Sequence, residues 1–313
     1  MPSSSFNWGN CLKYATATDV GMRRATNQDS HIEMIAPDPA EWYRSGHLFV
    51  VADGMGAHVA GELASKIAID QVALLYEKQL QKSPPEALLA AIRGANAEIH
   101  RRGQANVEFH NMGTTISSLL VLPQGAILGH VGDSRVYQLR KSNLRQLTFD
   151  HSLVWEMRAS GQMSDQAEVL NAIPKNVITR SLGPHPDVQV DLEGPYPLQV
   201  GDKFLLCSDG LTGKVSDEEI GGILFNLDPQ PAAEFLICLA NLRGGPDNIT
   251  VTIVEAVRPE LATQLAQVNP LVVGDEDRPT HPVPGWLWAS AVAAACGALV
   301  LLTAGHYSLA LVA

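Results

Sequence analysis

Four aspartates stand at the ends of apolar segments, and they are the side chains in this sequence best suited to chemistry. Asp53 ends LFVVAD, Asp133 ends ILGHVGD, Asp209 ends KFLLCSD, and Asp247 opens the last strand-like segment in GGPDNITV. A strand delivers its terminal carboxylate to a fixed position, and a glycine that follows allows another backbone to approach closely. Converging carboxylates repel one another unless cations neutralise them, and oxygen-only ligand sets suit Mg²⁺ or Mn²⁺. The repeated pattern predicts a divalent-metal site, although any single one of these aspartates would be typical of an ordinary turn.

Other catalytic motifs are incomplete. GMGAHVAG at 54–61 lacks the third glycine of a dinucleotide-binding loop, because Val59 occupies that position. SDGLTG at 208–213 is similar to the nucleophile loop of haloacid-dehalogenase-type phosphatases, but Cys207 stands where those enzymes need an aspartate. The sequence contains neither a GxxxxGK[ST] phosphate loop nor a GxSxG nucleophile elbow. Because no covalent nucleophile is evident, metal-activated water is the simplest hypothesis.

The aspartates are attached to short segments that are rich in β-branched residues and bounded by Gly, Pro or Asp, which is typical of strands. These predicted strands are 47–52, 115–122, 126–131, 135–139, 203–207 and 249–255. Apolar residues at helical spacing predict helices over 61–81 and 86–100, between the first two strands. Strands, two helices and then strands without intervening helices predict an α+β fold with antiparallel sheets.

The composition is that of a globular protein with a substantial core, because 46% of the 313 residues are hydrophobic and 18% are charged. The net charge of −11 and the lack of a basic run argue against nucleic acid as a partner. Cys11, Cys207, Cys238 and Cys296 are far apart, which predicts neither a thiolate zinc site nor a disulfide framework. The N-terminus lacks the basic and apolar regions of a signal peptide, so most of the protein is expected in the cytoplasm.

The C-terminal segment 285–305, GWLWASAVAAACGALVLLTAG, contains no charged residue. About twenty helical residues span the ~30 Å core of a bilayer. Trp286 and Trp288 at one end and Tyr307 at the other are suited to the membrane interfaces. We therefore predict a single transmembrane helix at 286–305, with an Ala-rich core helix as the alternative.

Five prolines precede that helix, which predicts a flexible tether rather than packed structure. The expected organisation is a globular domain at 1–257, a Pro-rich tether at 258–285, the transmembrane helix and a short tail at 306–313. The protein is then expected at the inner (cytoplasmic) membrane, with the globular domain in the cytoplasm.

Several segments between residues 18 and 255 share an order and spacing typical of one enzyme family. They are TDVGMRRATNQDS (18–30), VADGMGAHVAGELAS (51–65), MGTTISSLLV (112–121), GHVGDSRVY (129–137), LTFDHSLV (147–154), NVITRSLG (176–183), LLCSDGLTGKVSDEEI (205–220) and GGPDNITVTIVE (244–255). Together they resemble the PP2C (PPM) family of metal-dependent protein serine/threonine phosphatases, in its bacterial form. The resemblance implies two antiparallel β-sheets in a central sandwich flanked by helices, with a two-metal centre at one end.

The resemblance also implies the ligands of that centre, which binds two and in some bacterial members three Mn²⁺ or Mg²⁺ ions. Asp53 corresponds to the carboxylate that bridges both metals, and the backbone carbonyl of Gly54 is a further ligand. Asp209 and Asp247 correspond to the remaining ligands of one metal. Asp133 corresponds to the aspartate that can hold a third, weaker metal.

Two further residues have catalytic roles by the same resemblance. Arg24 corresponds to the arginine that grips the substrate phosphate, where a planar guanidinium suits two oxygens. Arg23 is adjacent, but the spacing to Asp29 favours Arg24. Asp29 corresponds to a carboxylate that orients water at the metals. The implied mechanism is direct attack of a metal-bridging water on phosphorus, without a phosphoenzyme.

Two positions depart from the family pattern. Gln28 stands where many members have Glu, and Met55 replaces a histidine proposed as the general acid in animal members. These departures keep open a pseudophosphatase that binds phosphoproteins without turnover, and a third hypothesis changes the substrate to a small phosphoester. The main hypothesis is hydrolysis of phosphoserine and phosphothreonine in proteins that a Ser/Thr kinase has modified.

Overall fold

A computed structural model of the chain describes residues 11–56, 59–159 and 177–263, together with the three-residue segment 280–282. The predicted transmembrane helix at 286–305 lies outside these residues. Within the part of the chain that is described, no helix is both long enough and apolar enough to cross a membrane.

Two antiparallel sheets form the centre of the described structure. Their strands are β1 (Leu12–Asp19), β2 (Asp29–Met34), β3 (His47–Met55), β4 (Gly113–Thr114), β5 (Ile116–Leu122), β6 (Gly125–Val131), β7 (Arg135–Arg140), β8 (Asn143–Gln146), β9 (Asp191–Tyr196), β10 (Lys203–Cys207), β11 (Ile249–Ala256) and β12 (Thr280–Pro282). The first sheet has the order β1-β11-β10-β7-β8-β12, and the second has the order β2-β3-β5-β6-β9, with β4 paired to β3.

The α-helices of the described residues are α1 (Pro39–Ser45), α2 (Ala60–Lys78), α3 (Pro84–Ala105), α4 (Leu153–Ala159), α5 (Asp209–Thr212), α6 (Asp217–Asn226) and α7 (Pro229–Leu242). Four of them cover the outer faces of the two sheets, whereas α1 places Trp42 in the core between the sheets. Helices α2 and α3 pack on the second sheet, and α6 and α7 pack on the first. Two helices begin with a capping box, α3 at Ser83 and α6 at Ser216, which satisfies backbone donors that the first turn leaves free.

The central strands are buried on both faces, which explains why they read as continuous apolar runs. In β10, Phe204 and Leu206 pack into the core between the two sheets. Leu205 and Cys207 alternate with them and pack against α6 and α7. This alternation follows from the two-residue period of a strand. The result is four layers, helix, sheet, sheet and helix, with a core in each of the three spaces between them.

The predicted fold class is confirmed for the described residues: two antiparallel sheets flanked by helices. The predicted helices at 61–81 and 86–100 are α2 and α3, and each predicted strand is present with its ends within three residues of the prediction. The informative difference is β3, which continues to Met55. Asp53 therefore lies inside a strand and not at its end, where the sequence pattern had it.

Packed structure continues past the predicted domain boundary at residue 257. Leu261 is fully buried in the core between the sheets. The Thr263 backbone N–H donates to Leu198 O at 3.0 Å, and the Leu198 N–H donates to Thr263 Oγ1 at 2.9 Å. Within the predicted tether, Thr280–Pro282 pairs with β8. The start of the predicted tether therefore belongs to the packed structure.

Candidate active site

Strand pairing brings the aspartates to one end of the sandwich. β10 and β11 are antiparallel neighbours, so the end of β10 lies beside the start of β11. Asp209, which follows β10, and Asp247, which precedes β11, therefore lie at the same end of the first sheet. In the second sheet the register of β2 and β3 places Asp29 directly opposite Asp53. Directly opposed residues have Cβ atoms about 4.5–5.5 Å apart, so these two carboxylates are neighbours on one face.

Two glycines allow the segments that carry these carboxylates to approach one another. A Cβ on Gly54 would lie 2.1 Å from the Gly61 carbonyl oxygen, at the start of α2. A Cβ on Gly210 would lie 1.9 Å from the carbonyl oxygen of Asn248. Real Cβ atoms do not come this close to backbone oxygens, so a side chain at either position would force the segments apart.

Asp29 is buried and only half satisfied. Its Oδ2 accepts a hydrogen bond from Ser208 Oγ at 2.7 Å, and that hydroxyl in turn accepts from the Thr250 backbone N–H at 2.9 Å. Its Oδ1 is buried without a hydrogen-bond partner among the described residues. A buried carboxylate oxygen without a partner is costly, which indicates a ligand that the protein atoms do not supply.

Burial and mutual repulsion raise the pKa values of this group of carboxylates. Burial raises the pKa of Asp29 to about 6, that of Asp209 to about 6 and that of Asp133 to about 7. Burial also raises the pKa of Asp53 well above its usual value, and the charges of Asp29, Asp209, Asp133 and Asp247 add to the effect. Ionised carboxylates in such a place need a cation beside them.

This donor set fits divalent cations such as Mg²⁺ or Mn²⁺, because it is made of oxygens, is buried and carries excess negative charge. It is not a closed coordination shell as it stands. Across the described ranges, no three His, Cys, Asp or Glu side chains lie close enough together to hold an ion. The charge of Asp209 adds to the raised pKa of Asp53, whereas Asp247 Oδ2 accepts from Arg24 Nη2 at 2.7 Å.

The structure therefore pairs the predicted phosphate-binding arginine with a predicted metal ligand. The side chains of Arg24 and Asp247 are 47% and 30% exposed, so the pair lies at the mouth of the site. Because Arg24 is already exposed, another anion can replace this carboxylate without a rearrangement that brings the arginine to the surface. Arg23, the preceding residue, is also exposed.

Three polar residues position the site and were not identified from the sequence. Asn248 Oδ1 accepts from the Gln28 N–H at 2.9 Å, and its Nδ2 donates to Val20 O and Thr26 O at 2.9 Å each. Asn248 thus secures both sides of the loop that carries Arg24. Its only sequence signal is its place directly after Asp247.

Ser208 and Thr115 are the other two. Ser208 connects Asp29 to β11, as described above. Thr115 Oγ1 accepts from the Asp53 N–H at 3.0 Å and shares a hydrogen bond with Ser134 Oγ at 2.8 Å. Thr115 thereby connects the Asp53 and Asp133 segments. Hydroxyl residues next to strands are too common for the sequence to single out these two.

The two departures from the family pattern lie at the same end of the molecule. Gln28 is 9% exposed, and its backbone oxygen accepts from the Gly54 N–H at 3.1 Å and from Ser65 Oγ at 2.6 Å. Met55 is partly buried at the end of β3. His58, three residues after Met55, lies outside the described residues.

A family model for Protein phosphatase 2C matches residues 23–240 of this chain. The serine/threonine protein phosphatase PstP of Mycobacterium tuberculosis is 34% identical over 271 residues, covering 87% of this chain and 50% of PstP, so the chain spans about half the length of that relative. Protein phosphatase PhpP of Streptococcus pneumoniae is 36% identical over 249 residues, covering 78% of this chain and 97% of PhpP. A crystal structure of the PstP catalytic domain in complex with two manganese ions aligns with a TM-score of 0.66 at 34% identity, covering 79% of this chain and 99% of that one. The chain belongs to the protein phosphatase 2C family.

Proposed function

We propose that this chain is a metal-dependent protein phosphatase that hydrolyses phosphoserine and phosphothreonine in proteins. The observation that carries the proposal is the buried group of carboxylates at one end of the sandwich, where Asp29 keeps an unsatisfied oxygen. Membership of the family supports it, as do the relatives named as serine/threonine phosphatases. The relative that was crystallised with two manganese ions supports Mn²⁺ or Mg²⁺ as the cofactor.

The carboxylates of Asp53, Asp209 and Asp247 and the backbone carbonyl of Gly54 would hold two cations, and Asp133 would hold a third. Bound there, divalent cations supply an activated water and offset the negative charge of the phosphoryl oxygens. Of the metal-site residues, only Asp247 also contacts the predicted phosphate-binding residue, Arg24. In this arrangement the proposed metal ligands lie inside the site, and the proposed phosphate-binding arginine lies at its mouth.

Arg24 would bind the phosphate of the substrate. Its guanidinium is half-exposed and is oriented by Asp247, so a phosphate entering the mouth meets a cation already directed at the site. A planar fork can donate two parallel hydrogen bonds to two phosphate oxygens, which fixes the phosphoryl group for in-line attack. Asp29 would accept a proton or hydrogen bond through Oδ1, the oxygen that has no protein partner.

The substrates would be proteins phosphorylated by a Ser/Thr kinase. The exposed mouth beside Arg24 supports this substrate class, because a phosphorylated side chain can reach it from a folded or flexible partner. The net charge of −11 argues against a broad electrostatic attraction to polyanions, which favours recognition local to the phosphorylated residue.

The test is hydrolysis of a phosphothreonine peptide by the full chain, with Mn²⁺ and then with a chelator, beside Asp209→Asn and Asp187→Asn. Asp187 is an exposed carboxylate and serves as the matched control for loss of one charge. We expect turnover that requires Mn²⁺, falls at least about 100-fold in Asp209→Asn and is unchanged in Asp187→Asn. Turnover in the presence of chelator would contradict the metal mechanism. Phosphopeptide binding without turnover would favour the pseudophosphatase.

We also propose that a helix at 286–305 anchors the domain to the cytoplasmic membrane. The support is the uncharged sequence of that segment and its flanking aromatic residues. Sedimentation of membranes from cells that express either the full chain or a chain ending at Thr263 tests this. The full chain should sediment with membranes and the shorter chain should stay in the supernatant, and a full chain that stays in the supernatant would rule the anchor out.

A further inference from the structure

His151 holds both backbone polar groups of the residue that precedes Asp133. The His151 backbone N–H donates to Gly132 O at 2.7 Å, and the Gly132 N–H donates to His151 Nδ1 at 2.9 Å. His151 is 5% exposed, so water competes little for either bond. The proposed function assigns no role to this histidine.

These contacts fix the tautomer of the ring. Because Nδ1 accepts from Gly132, the ring proton of neutral His151 lies on Nε2, which donates to Asp191 Oδ2 at 3.0 Å. Arg180 Nη1 donates to Asp191 Oδ1 at 2.7 Å and orients that carboxylate, and the same Nη1 lies 3.0 Å from His151 Nε2. The Gly132 N–H can only donate to Nδ1, whereas Asp191 can accept from both Arg180 and Nε2, so the ring proton stays on Nε2. The ring of His130 packs beside the imidazole with centroids 5.0 Å apart. Neighbouring groups therefore determine both the position of the ring and the identity of its acceptor nitrogen.

The position of Gly132 does not accept a side chain. Its φ is +115°, and a Cβ there would lie 2.6 Å from the side chain of Thr115, so only glycine fits. Glycine has a wide range of accessible φ and ψ angles, and here the two hydrogen bonds to His151 restrict the backbone conformation of Gly132. The carbonyl that His151 binds belongs to the peptide that carries the backbone nitrogen of Asp133. The orientation of that peptide sets where the Asp133 carboxylate starts.

We propose that His151 is a positioning residue for Asp133. Its backbone N–H and its Nδ1 fix the turn before Asp133, and Asp191 keeps the tautomer that makes Nδ1 an acceptor. The affinity of the Asp133 site for a divalent cation then depends on a histidine that does not bind the cation. This inference rests on the proposed function, because it takes Asp133 as a metal ligand.

Two substitutions at His151 separate the hydrogen bond from the burial. His151→Asn keeps an acceptor near the position of Nδ1, and His151→Leu fills similar space without one. Calorimetric titration of the full-length protein with Mn²⁺ measures the affinity of the weakest site directly, and the Mn²⁺ dependence of phosphopeptide hydrolysis measures it again. We expect His151→Leu to weaken that site about tenfold or more, as loss of a residue that orients a ligand does, and His151→Asn to recover most of the loss.

Two further variants exclude a merely structural effect. Asp191→Asn should imitate His151→Leu, because the amide can donate to Nε2 and shift the ring proton to Nδ1, which then faces the Gly132 N–H. In an Asp133→Asn background, His151→Leu should weaken Mn²⁺ binding no further. An unchanged weak-site affinity in His151→Leu, or an equal further loss in the Asp133→Asn background, would overturn the proposal. If His151→Leu does not fold, the Mn²⁺ affinities of Asp191→Asn and His151→Asn are compared instead. The proposal then requires weaker binding in Asp191→Asn than in His151→Asn. Wild-type protein that binds Mn²⁺ without turnover would refute the proposed function but leave this comparison valid.

Discussion

At the scale of single residues, the exposed contact between Arg24 and Asp247 bears on how the proposed site would bind a phosphorylated substrate. Both side chains are substantially exposed, and exposed ion pairs of this kind contribute only about 0–1 kcal/mol. A phosphate dianion that offers two oxygens to the same guanidinium can therefore displace Asp247 at little cost. Asp247 would then be free to turn toward the other proposed metal ligands. The pair holds Arg24 in place without trapping it.

Substitution of each arginine in turn tests whether Arg24 binds the phosphate of the substrate. Arg23 and Arg24 are adjacent and both are exposed, but of the two only Arg24 contacts Asp247. Arg24→Ala should lower kcat/KM for a phosphothreonine peptide about 100-fold, since it removes a donor that stabilises charge on the phosphoryl group. Arg24→Lys should recover only part of this loss, because lysine keeps the charge but not the planar fork. Arg23→Ala is the matched control, and an equal loss in that variant would show that the general positive field matters and not the fork.

At the scale of elements, the sequence predicted the central strands and missed those at the edges. β10 and β11 are buried on both faces, so their apolar runs are unambiguous. β1 reads LKYATATD and is half-exposed, and it is a strand because all eight of its residues pair with β11, more than two hundred residues later in the chain. Such pairing is a non-local interaction, which local composition does not encode.

The proximity of the carboxylates could be predicted from the sequence, whereas the contacts that position them could not, for a similar reason. Aspartates after apolar runs are visible in a sequence, so the carboxylates could be named. Their hydrogen-bond partners could not, because Asn248, Ser208 and Thr115 act through contacts with residues distant in the chain. The register that sets Asp29 opposite Asp53 is also invisible before the two strands pair.

The close approach of α5 to β11 gives an element-scale prediction. Gly210→Ala should separate the two elements, because the new Cβ would lie 1.9 Å from Asn248 O. We expect a loss of Mn²⁺ affinity of about tenfold or more and a lower melting temperature, since Asp209 and Asp247 lie on the two segments forced apart. Gly213→Ala, directly after the same helix, is the control, because its Cβ meets its nearest atom at 3.1 Å and its φ of −68° suits alanine. Equal Mn²⁺ affinity in both variants would contradict the argument.

At the scale of the whole molecule, the four layers separate two kinds of buried titratable group. Histidines His47 and His130 are enclosed by the strands, where burial lowers the pKa of His47 to about 4 and that of His130 to about 3. Their contribution to stability is present above pH ~6.5 and is lost as the pH falls toward these values. The carboxylates at the end of the sandwich behave in the opposite sense, because their pKa values are raised.

The opposing signs can be separated with Mn²⁺. In chelator, the contribution of Asp29, Asp133 and Asp209 is present at low pH and lost as the pH rises through about 6 to 7, their folded pKa values. Bound cations keep these groups ionised, so Mn²⁺ should raise the melting temperature more at pH 8 than at pH 5.5. Three such groups correspond to about 2–4 kcal/mol, or about 5–15 °C for a domain of this size. The measurement is the change in melting temperature on adding Mn²⁺, determined by thermal unfolding at each of the two pH values. The contribution of the histidines is the same with and without Mn²⁺, so it cancels from this change. Asp209→Asn should reduce the pH dependence, and an equal Mn²⁺ effect at both pH values would mean that the cations do not compete with protons for these carboxylates.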